Sequence, residues 1–401
     1  MNFVGDVYYK LNRRLLLLVG LWPYEHSIYK YCQMIFCNII VIFTSICQIT
    51  KLISEIKKSA ISQNIEIMLK FLSPIVVFLI YLIKYETFCI VAKKIKYLMD
   101  HVEEDWNMLK DKRELEILER YTYIGSMCTM GLTIVGFVAV LICILLPFLP
   151  NILDFIAPLN VSRPQQLLFP GEYFVDQQKF FYAISLQINI TMGLILLTLI
   201  GTETLYVTYV QHACGMFEVA SYRMAQAFNA KLLQDYTCEK QAIIICKRII
   251  EAIRIHKRAL EFSEFLWSTL AISYSILLII GITSLIINLF CLFQAILFIK
   301  AIDQIITLSL FTVGHIIYLF LGNYVGQILI DHSAGIFQNI YCTQWQGTPL
   351  QAQQLLRIIM QRSMKSCKMD VGGMFTPSLE GFAALMSTTL SYFTVLWSVH
   401  K

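Results

Sequence analysis

The chain has 401 residues, of which 57% are apolar and only 15% charged, with a formal net charge of +5 and a mean hydropathy of +0.63. So few charges cannot cover the surface of a water-soluble protein of this length, so the composition predicts a polytopic membrane protein of the all-α class. The modest positive charge is spread among loops, which argues against nucleic acid as a partner and suits the anionic inner leaflet of a bilayer.

In chain order, the N-terminal segment runs from Tyr8 through Asn12-Arg13-Arg14 into an apolar stretch that Pro23 breaks. That stretch is too short to span and carries no cleavage signal, so it is expected in the membrane interface. Seven spans follow, at about 34–53, 67–92, 124–149, 182–210, 265–291, 298–321 and 376–399, each close to the ~20 apolar residues a bilayer needs. In the second, Lys70, Lys84 and Glu86 leave only Phe71–Ile83 free of charge, and the lysines are expected to snorkel towards either end. The run from Phe265 to Leu321 would reach roughly 86 Å as one helix and must fold back, near Cys291–Lys300.

The whole of 1–401 reads as one seven-helix membrane domain, with a cytoplasmic helical assembly region in 211–264 and 322–373 through which subunits could touch. Residues 211–264 read as extensions of spans four and five. There Ile243, Ile244, Ile250, Ile253 and Leu260 lie among Lys247, Arg248, Arg254, Lys257 and Arg258. Such a face packs on a neighbouring helix more often than it lies on a membrane or binds calmodulin. Between Gly322 and Gly373 two further helices are expected, split at Gln346-Gly347-Thr348-Pro349, with Thr348 as cap and Pro349 opening the second. Thr376-Pro377 repeats that start before the last span, and Gly372-Gly373 ahead of it allows a sharp change of direction.

Most of the 32 Lys and Arg residues fall in 1–30, 93–120, 223–258 and 357–368, segments that share one side of the membrane. Cytoplasmic segments retain positive charge, so the N-terminus is expected inside and, after seven spans, the C-terminus outside. On that topology the large outer loop from Phe148 to Phe181 holds no cysteine, and no extracellular disulfide framework can be drawn. The same loop offers Asn160-Val161-Ser162 as a glycosylation acceptor. Asn189-Ile190-Thr191 also matches but lies in a span and should be silent.

The last span carries the most pointed signal. At 100° per residue, Glu380, Ala384, Ser387, Ser391, Thr394 and Ser398 fall within about 40° of one line. Lipid cannot solvate such a stripe, so it should face protein or water. Single hydroxyls bond back to their own carbonyls or hold helices together, but six aligned positions make this helix a pore candidate.

The motifs here resemble those of the insect odorant receptors. Ser391-Tyr392-Phe393-Thr394-Val395-Leu396, after Gly381-Phe382 and Leu385, is similar to the C-terminal signature of that family. His332-Ser333 followed by Tyr341 and Trp345 resembles its penultimate motif, and Asn12-Arg13-Arg14 with Gly20-Leu21-Trp22-Pro23 resembles tuning receptors of ants, bees and wasps. The resemblance implies an odorant-binding tuning subunit that joins a common coreceptor in a tetrameric, ligand-gated, non-selective cation channel at the plasma membrane of olfactory dendrites. It implies volatile organic ligands and contacts with membrane lipid, and no cofactor. The short 211–264 segment and the Leu396-Trp397-Ser398 ending are unlike the coreceptor. By motif match Val395 is the apolar gate residue and Ser398 the polar position three residues on. Ser391, Ser387 and Thr394 line the same face.

The resemblance also places the ligand among the outer halves of spans two, three, four and six. Here these carry Phe71, Ile75 and Phe78; Thr133, Gly136, Phe137 and Val140; Tyr182, Asn189 and Met192; and Asp303, Ile306 and Leu310. Aromatic and methionine stripes also serve ordinary helix cores. Asp303 could bind an amine or hydroxyl or simply reach the interface, while Glu203 and His315 read as structural hydrogen-bonding groups. Opening would follow if ligand burial moved spans five and six so that Val395 left the axis. A small odorant supplies little differential binding energy, so the closed state should be only marginally favoured.

Other classes fit less well. Glu119-Arg120-Tyr121 invites a G-protein-coupled receptor, but it precedes the third span, and no Asn-Pro-x-x-Tyr closes the last. No inverted repeat with broken helices suggests a transporter. The seven histidines and twelve cysteines show no CxxC or HExxH spacing, so neither an enzyme nor a metal site is expected. A gustatory-type homomeric channel is the nearest alternative, differing in the C-terminal motif.

Overall fold

The structure, a computed structural model, describes residues 4–58, 64–156, 167–228, 238–299, 302–343, 345–370 and 375–400. Among these the regular elements are helical: α1 Asp6–Leu18, α2 Ile28–Lys58, α3 Asn64–Ile90, α4 Ala92–Met108, α5 Lys112–Leu145, α6 Leu149–Ile156, α7 Phe181–Ala227, α8 Cys238–Gln294, α9 Ile302–Tyr341, α10 Leu350–Ser363 and α11 Leu379–His400. Seven of them, α2, α3, α5, α7, α8, α9 and α11, are long and apolar enough to cross a bilayer. Asn160 and Gly372-Gly373 lie outside the described residues.

Three helices far exceed the ~20 residues a bilayer needs: α7 has 47 residues, α8 57 and α9 40. A π-helical turn at Ala295–Ile299 prolongs α8, and α9 starts at Ile302. The separate helix expected after Gly322 is instead the unbroken continuation of α9, and only α10 stands apart. Single glycines cost a helix about 1 kcal/mol each, which packing can offset. Thr348 does not cap α10. Its hydroxyl donates to the Trp345 carbonyl at 2.6 Å, and Pro349 takes the N-cap position.

The N-terminal helix packs into the core through one face, with Tyr9, Asn12, Leu15 and Leu16 buried. Asn12 is fully buried, donating to Thr204 Oγ1 at 3.0 Å and accepting from the Thr129 hydroxyl at 3.4 Å. Gly201 of α7 lets Leu15 and Leu16 approach, for a Cβ there would lie 3.2 Å from Leu16. The helix ends in a Schellman motif: Leu21 N–H bonds the Leu16 carbonyl at 2.8 Å, Gly20 N–H bonds Leu17 at 3.2 Å, and Gly20 has φ +73°. This turn buries Leu21 and Trp22.

α7 is the central helix, with Val210, Ala213, Cys214 and Phe217 fully enclosed. The non-spanning end of α8 packs through Ile245, Ile249, Ala252 and Ile255, while Ile243 and Ile250 are exposed. α4 is joined to this end by buried charge. Asp105 meets His212 at 2.9 Å and the Arg258 guanidinium, which also reaches Glu104 at 2.9 Å. Burial raises the Asp105 carboxyl, but the His212 hydrogen bond and charge, with Arg258, more than offset it and hold the carboxyl below its usual range. Arg223 grips Glu114 of α5 through two hydrogen bonds of 2.5 and 2.8 Å.

Because Gly20 holds a left-handed conformation, Gly20→Ala should destabilise the fold by about 1 kcal/mol. Thermal unfolding of the detergent-purified protein would show this as a lower midpoint; an unchanged midpoint would mean that the turn after α1 contributes nothing to docking.

Candidate functional site

At the end of the bundle where α3, α7 and α9 begin and α5 and α8 finish lies a cavity of about 920 Å³. Its wall is built from Lys70, Ser73 and Pro74 of α3, Leu146, Pro147, Pro150, Asn151 and Asp154 around the start of α6, the segment Leu167–Pro170, Phe181 of α7, Cys291 and Gln294 of α8, and Asp303, Gln304, Thr307, Leu308 and Phe311 of α9. The segment 167–178 folds inward to form the floor. Phe169 lies edge-on to Phe78 at 5.8 Å and stacks on Phe311 at 5.8 Å. Glu172 N–H bonds the Cys47 carbonyl at 2.9 Å, and Gln177 donates to Gly171 at 2.8 Å. These bonds fix the segment against α2 and let Phe174 adopt φ 57°.

The ligand candidates do not all converge on this space. Asp303 lines it, Phe78 supports its floor from behind, and Phe71 is buried one residue from Lys70. Met192 is buried in the main core, and Gly136 is closed off by Ile200, 2.2 Å from where a Cβ would be. Phe137, Tyr182 and Ile306 are exposed, with Tyr182 stacked on Phe148 at 5.7 Å. Ile75, Val140, Leu310, Thr133 and Asn189 are half-buried, and the Thr133 hydroxyl bonds back to the Thr129 carbonyl at 2.7 Å.

From the cavity wall a chain of polar groups crosses the bundle. Ser73 donates to Asn288 at 2.7 Å, Asn288 donates to the Ser284 carbonyl at 3.0 Å, and Ser284 pairs with His315 Nε2 at 2.8 Å. The other His315 nitrogen faces the Phe311 carbonyl at 2.7 Å, so Nδ1 donates there and Nε2 accepts from Ser284. Deeper along the same helices, Lys84 is buried and ion-paired with Glu203, and so it does not snorkel. Its ammonium sits 3.9 Å from the Tyr274 ring centroid, and the Tyr274 hydroxyl donates to Glu203 at 2.8 Å. Apolar periodicity hides these residues, but Asn288 and Glu203 inside apolar runs are the signal that exposes them, since an intramembrane polar group implies a partner.

α11 shows two opposite faces. Leu385, Thr389 and Phe393 pack inward, with Phe393 and Trp397 against Phe293 at 4.9 and 5.9 Å. Glu380, Ala384, Ser387, Ser391, Thr394 and Ser398 are all exposed on the other side, and Val395 is 58% exposed beside them. The hydroxyls bond back into their own helix: Ser391 to Ser387, Thr394 to Ser391 and Ser398 to Val395, at 2.8–2.9 Å. The stripe is thus both back-bonded and turned away from the rest of the chain.

The base of α11 is seated on α9. Ser378, rather than Thr376, caps the helix by accepting from Gly381 N–H at 2.9 Å, while Thr376 turns to Asp370 at 3.4 Å. Two amides of α9 satisfy further free N–H groups: Asn323 accepts from Ser378 at 3.2 Å and Gln327 from Leu379 at 3.3 Å. Gly326 lies between them, and a Cβ there would be 2.3 Å from the Pro377 carbonyl oxygen. The segment after α10 is tied down as well. Cys367 N–H bonds Ser333 at 2.8 Å, Trp267 donates to the Asp370 carbonyl at 2.9 Å, and Tyr206 reaches the Met369 sulfur at 2.7 Å. His332 pairs with Tyr121 of α5 at 2.8 Å.

Residues 64–390 match the family model described as 7tm Odorant receptor. The chain is 24% identical over 261 residues to odorant receptor 13a of Drosophila melanogaster, which is 60% of this chain and 58% of that one. It is 30% identical over 89 residues to the odorant receptor coreceptor of Harpegnathos saltator, 21% and 19% of the two chains. These curated relatives are therefore matched over less than two thirds of their own length. The olfactory receptor OR5 of Machilis hrabei, solved in complex with eugenol, superposes with a TM-score of 0.76 at 13% identity, over 98% of this chain and 99% of that one. The two chains share the whole seven-helix fold. With the family model spanning most of the sequence, the chain belongs to the insect odorant receptor family, a family of receptors rather than enzymes.

Proposed function

We propose that this chain is the odorant-binding tuning subunit of a ligand-gated, non-selective cation channel that it forms with an odorant-receptor coreceptor, as a tetramer in the plasma membrane of olfactory dendrites. The observation that carries the reading is the outward hydroxyl face of α11. A lipid-facing helix gains nothing from such a stripe, whereas four copies arranged around an axis would enclose a water-lined path. In that ring Val395 is the apolar constriction and Ser398, Ser391, Ser387 and Thr394 line the conduit. The coreceptor similarity supports the choice of partner.

On this reading the N-terminus is cytoplasmic and the C-terminus extracellular, so the 920 Å³ cavity opens towards the outer leaflet and receives the volatile. The size suits a small organic ligand, and the aromatic floor of Phe78, Phe169 and Phe311 would hold its apolar part. The ends of α7, α8, α9 and α10 on the cytoplasmic side form the assembly region, and Asn160 is the glycosylation site in the outer loop.

Whole-cell recording from cells that express this chain alone, or with an insect coreceptor, tests the assignment under a volatile panel with G-protein signalling blocked. Fast current only in co-expressing cells is expected. Current from this chain alone would make it a self-sufficient gustatory-type channel, and loss of the response under the block would overturn the channel reading.

Val395→Ser should raise basal current several-fold by wetting the constriction; basal and evoked currents equal to wild type would remove Val395 from the gate. Gly326→Ala should lift the base of α11 from α9 and change the ratio of basal to evoked current at normal surface level. A wild-type ratio would mean that this seat does not set the gate.

A further inference from the structure

The Lys84–Glu203 pair links α3 to α7, and two neighbouring helices close around it. Tyr274 of α8 binds both members, its ring under the Lys84 ammonium at 3.9 Å and its hydroxyl on Glu203 at 2.8 Å. Tyr318 of α9 holds its ring 5.9 Å from the same ammonium, and Tyr206 stacks at a tilt on Tyr274 at 5.1 Å. Four helices therefore share one buried charge pair, and none of them can slide past the others without exposing an ion to hydrocarbon or stripping its aromatic cover.

Three placements connect this cage to the channel parts. On α3, Ser73 of the cavity wall and Lys84 lie about 20° apart in azimuth, about 16 Å along one helix face. On α9, Phe311 of the cavity floor and Tyr318 are likewise about 20° apart, and the same rigid helix continues to Asn323, Gly326 and Gln327 under α11. Third, a cavity of about 50 Å³ separates the cage from the start of the pore helix. Glu203, Tyr206, Trp267, Tyr274 and Tyr318 form one wall, and Phe375 and Pro377, with Gly322 of α9, form the other.

We infer that the caged Lys84–Glu203 pair is the latch that holds the closed arrangement, and that the small cavity beside it is the space into which the Phe375–Pro377 hinge moves when the channel opens. This rests on the channel reading above and adds the element that couples its two ends. Ligand in the outer cavity acts on α3 and α9 at once, and both are clasped by the pair. The pair sets how much binding energy is needed before α9 can shift the seat of α11. The Lys84 end of the pair is buried under the Tyr274 ring, where screening by salt is weak.

The test uses the full chain with the coreceptor, recording basal current, half-maximal odorant concentration and maximal current against surface biotinylation. Lys84→Met and Glu203→Gln each leave a buried charge unpaired and should lower surface level. The double variant Lys84→Met/Glu203→Gln removes both charges and should reach the surface. It should then show basal current raised roughly tenfold and a half-maximal concentration reduced to match, as for a two-state equilibrium shifted towards open. Gly322→Leu fills the small cavity from a position where an added Cβ meets nothing within 4 Å. Leucine is also a strong helix former. This variant should reach the surface with maximal current reduced. A double variant at the surface with wild-type basal current and sensitivity would overturn the latch and leave the pair a structural feature. A Gly322→Leu variant with full maximal current would overturn the role of the cavity. If the wild-type chain itself conducts nothing beside the coreceptor, the channel reading fails and the latch with it, which separates that failure from failure of the variants alone.

Discussion

Hydrocarbon solvates no dipole and no charge, so each polar side chain that enters the membrane-spanning bundle must find its partner on another helix or on its own backbone. The bundle is organised around such meetings. Asn12 of α1 is received by Thr204 and Thr129, Thr44 of α2 by Thr191 and Gln187, Ser73 of α3 by Asn288, and Lys84 by Glu203. Apolar packing is nearly indifferent to helix rotation in a lipid environment, since lipid tails are as apolar as leucine. These pairs fix which face of each helix turns inward.

Against that background α11 is the exception that gives the molecule its direction. α11 turns Leu385, Thr389 and Phe393 inward, whereas Ser387, Ser391, Thr394 and Ser398 face out. The back-bonding of Ser391, Thr394 and Ser398 lets this face exist in a single subunit without open hydrogen-bond demands. It leaves oxygen lone pairs available along the outside of the helix. A single chain therefore presents an exposed hydroxyl face along α11.

The long helices carry this local chemistry over distance. α9 borders the large cavity at Asp303 and Phe311, touches the tyrosine cage at Tyr318, seats the base of α11 through Asn323, Gly326 and Gln327, and ties the chain after α10 through Ser333. A displacement of a helix at one end is felt at the other because its backbone hydrogen bonds make it stiff along its axis. At the far end, Asp105 with His212 and Arg258, and Glu114 with Arg223, anchor the extensions of α7 and α8.

The sequence by itself determined the membrane class, the seven spans and the polar line on the last helix, because these depend on length, hydropathy and a 3.6-residue period, all local properties. It also held the resemblance carried by Ser391-Tyr392-Phe393-Thr394-Val395-Leu396. It did not reveal that Lys84 would pair with Glu203 rather than snorkel, that Asn12 is a core residue, that α9 continues past Gly322, or that Ser378 rather than Thr376 caps α11. Nor did the candidate ligand residues on four spans converge as expected: Asp303 borders the large cavity, while Gly136 is closed off against Ile200 and Phe137 is exposed. Only the tertiary structure decided these, because the energy of a polar group in a membrane is set by what faces it across the helix contact. Residues as far apart in the chain as Ser73 and Asn288 meet only once the bundle has formed.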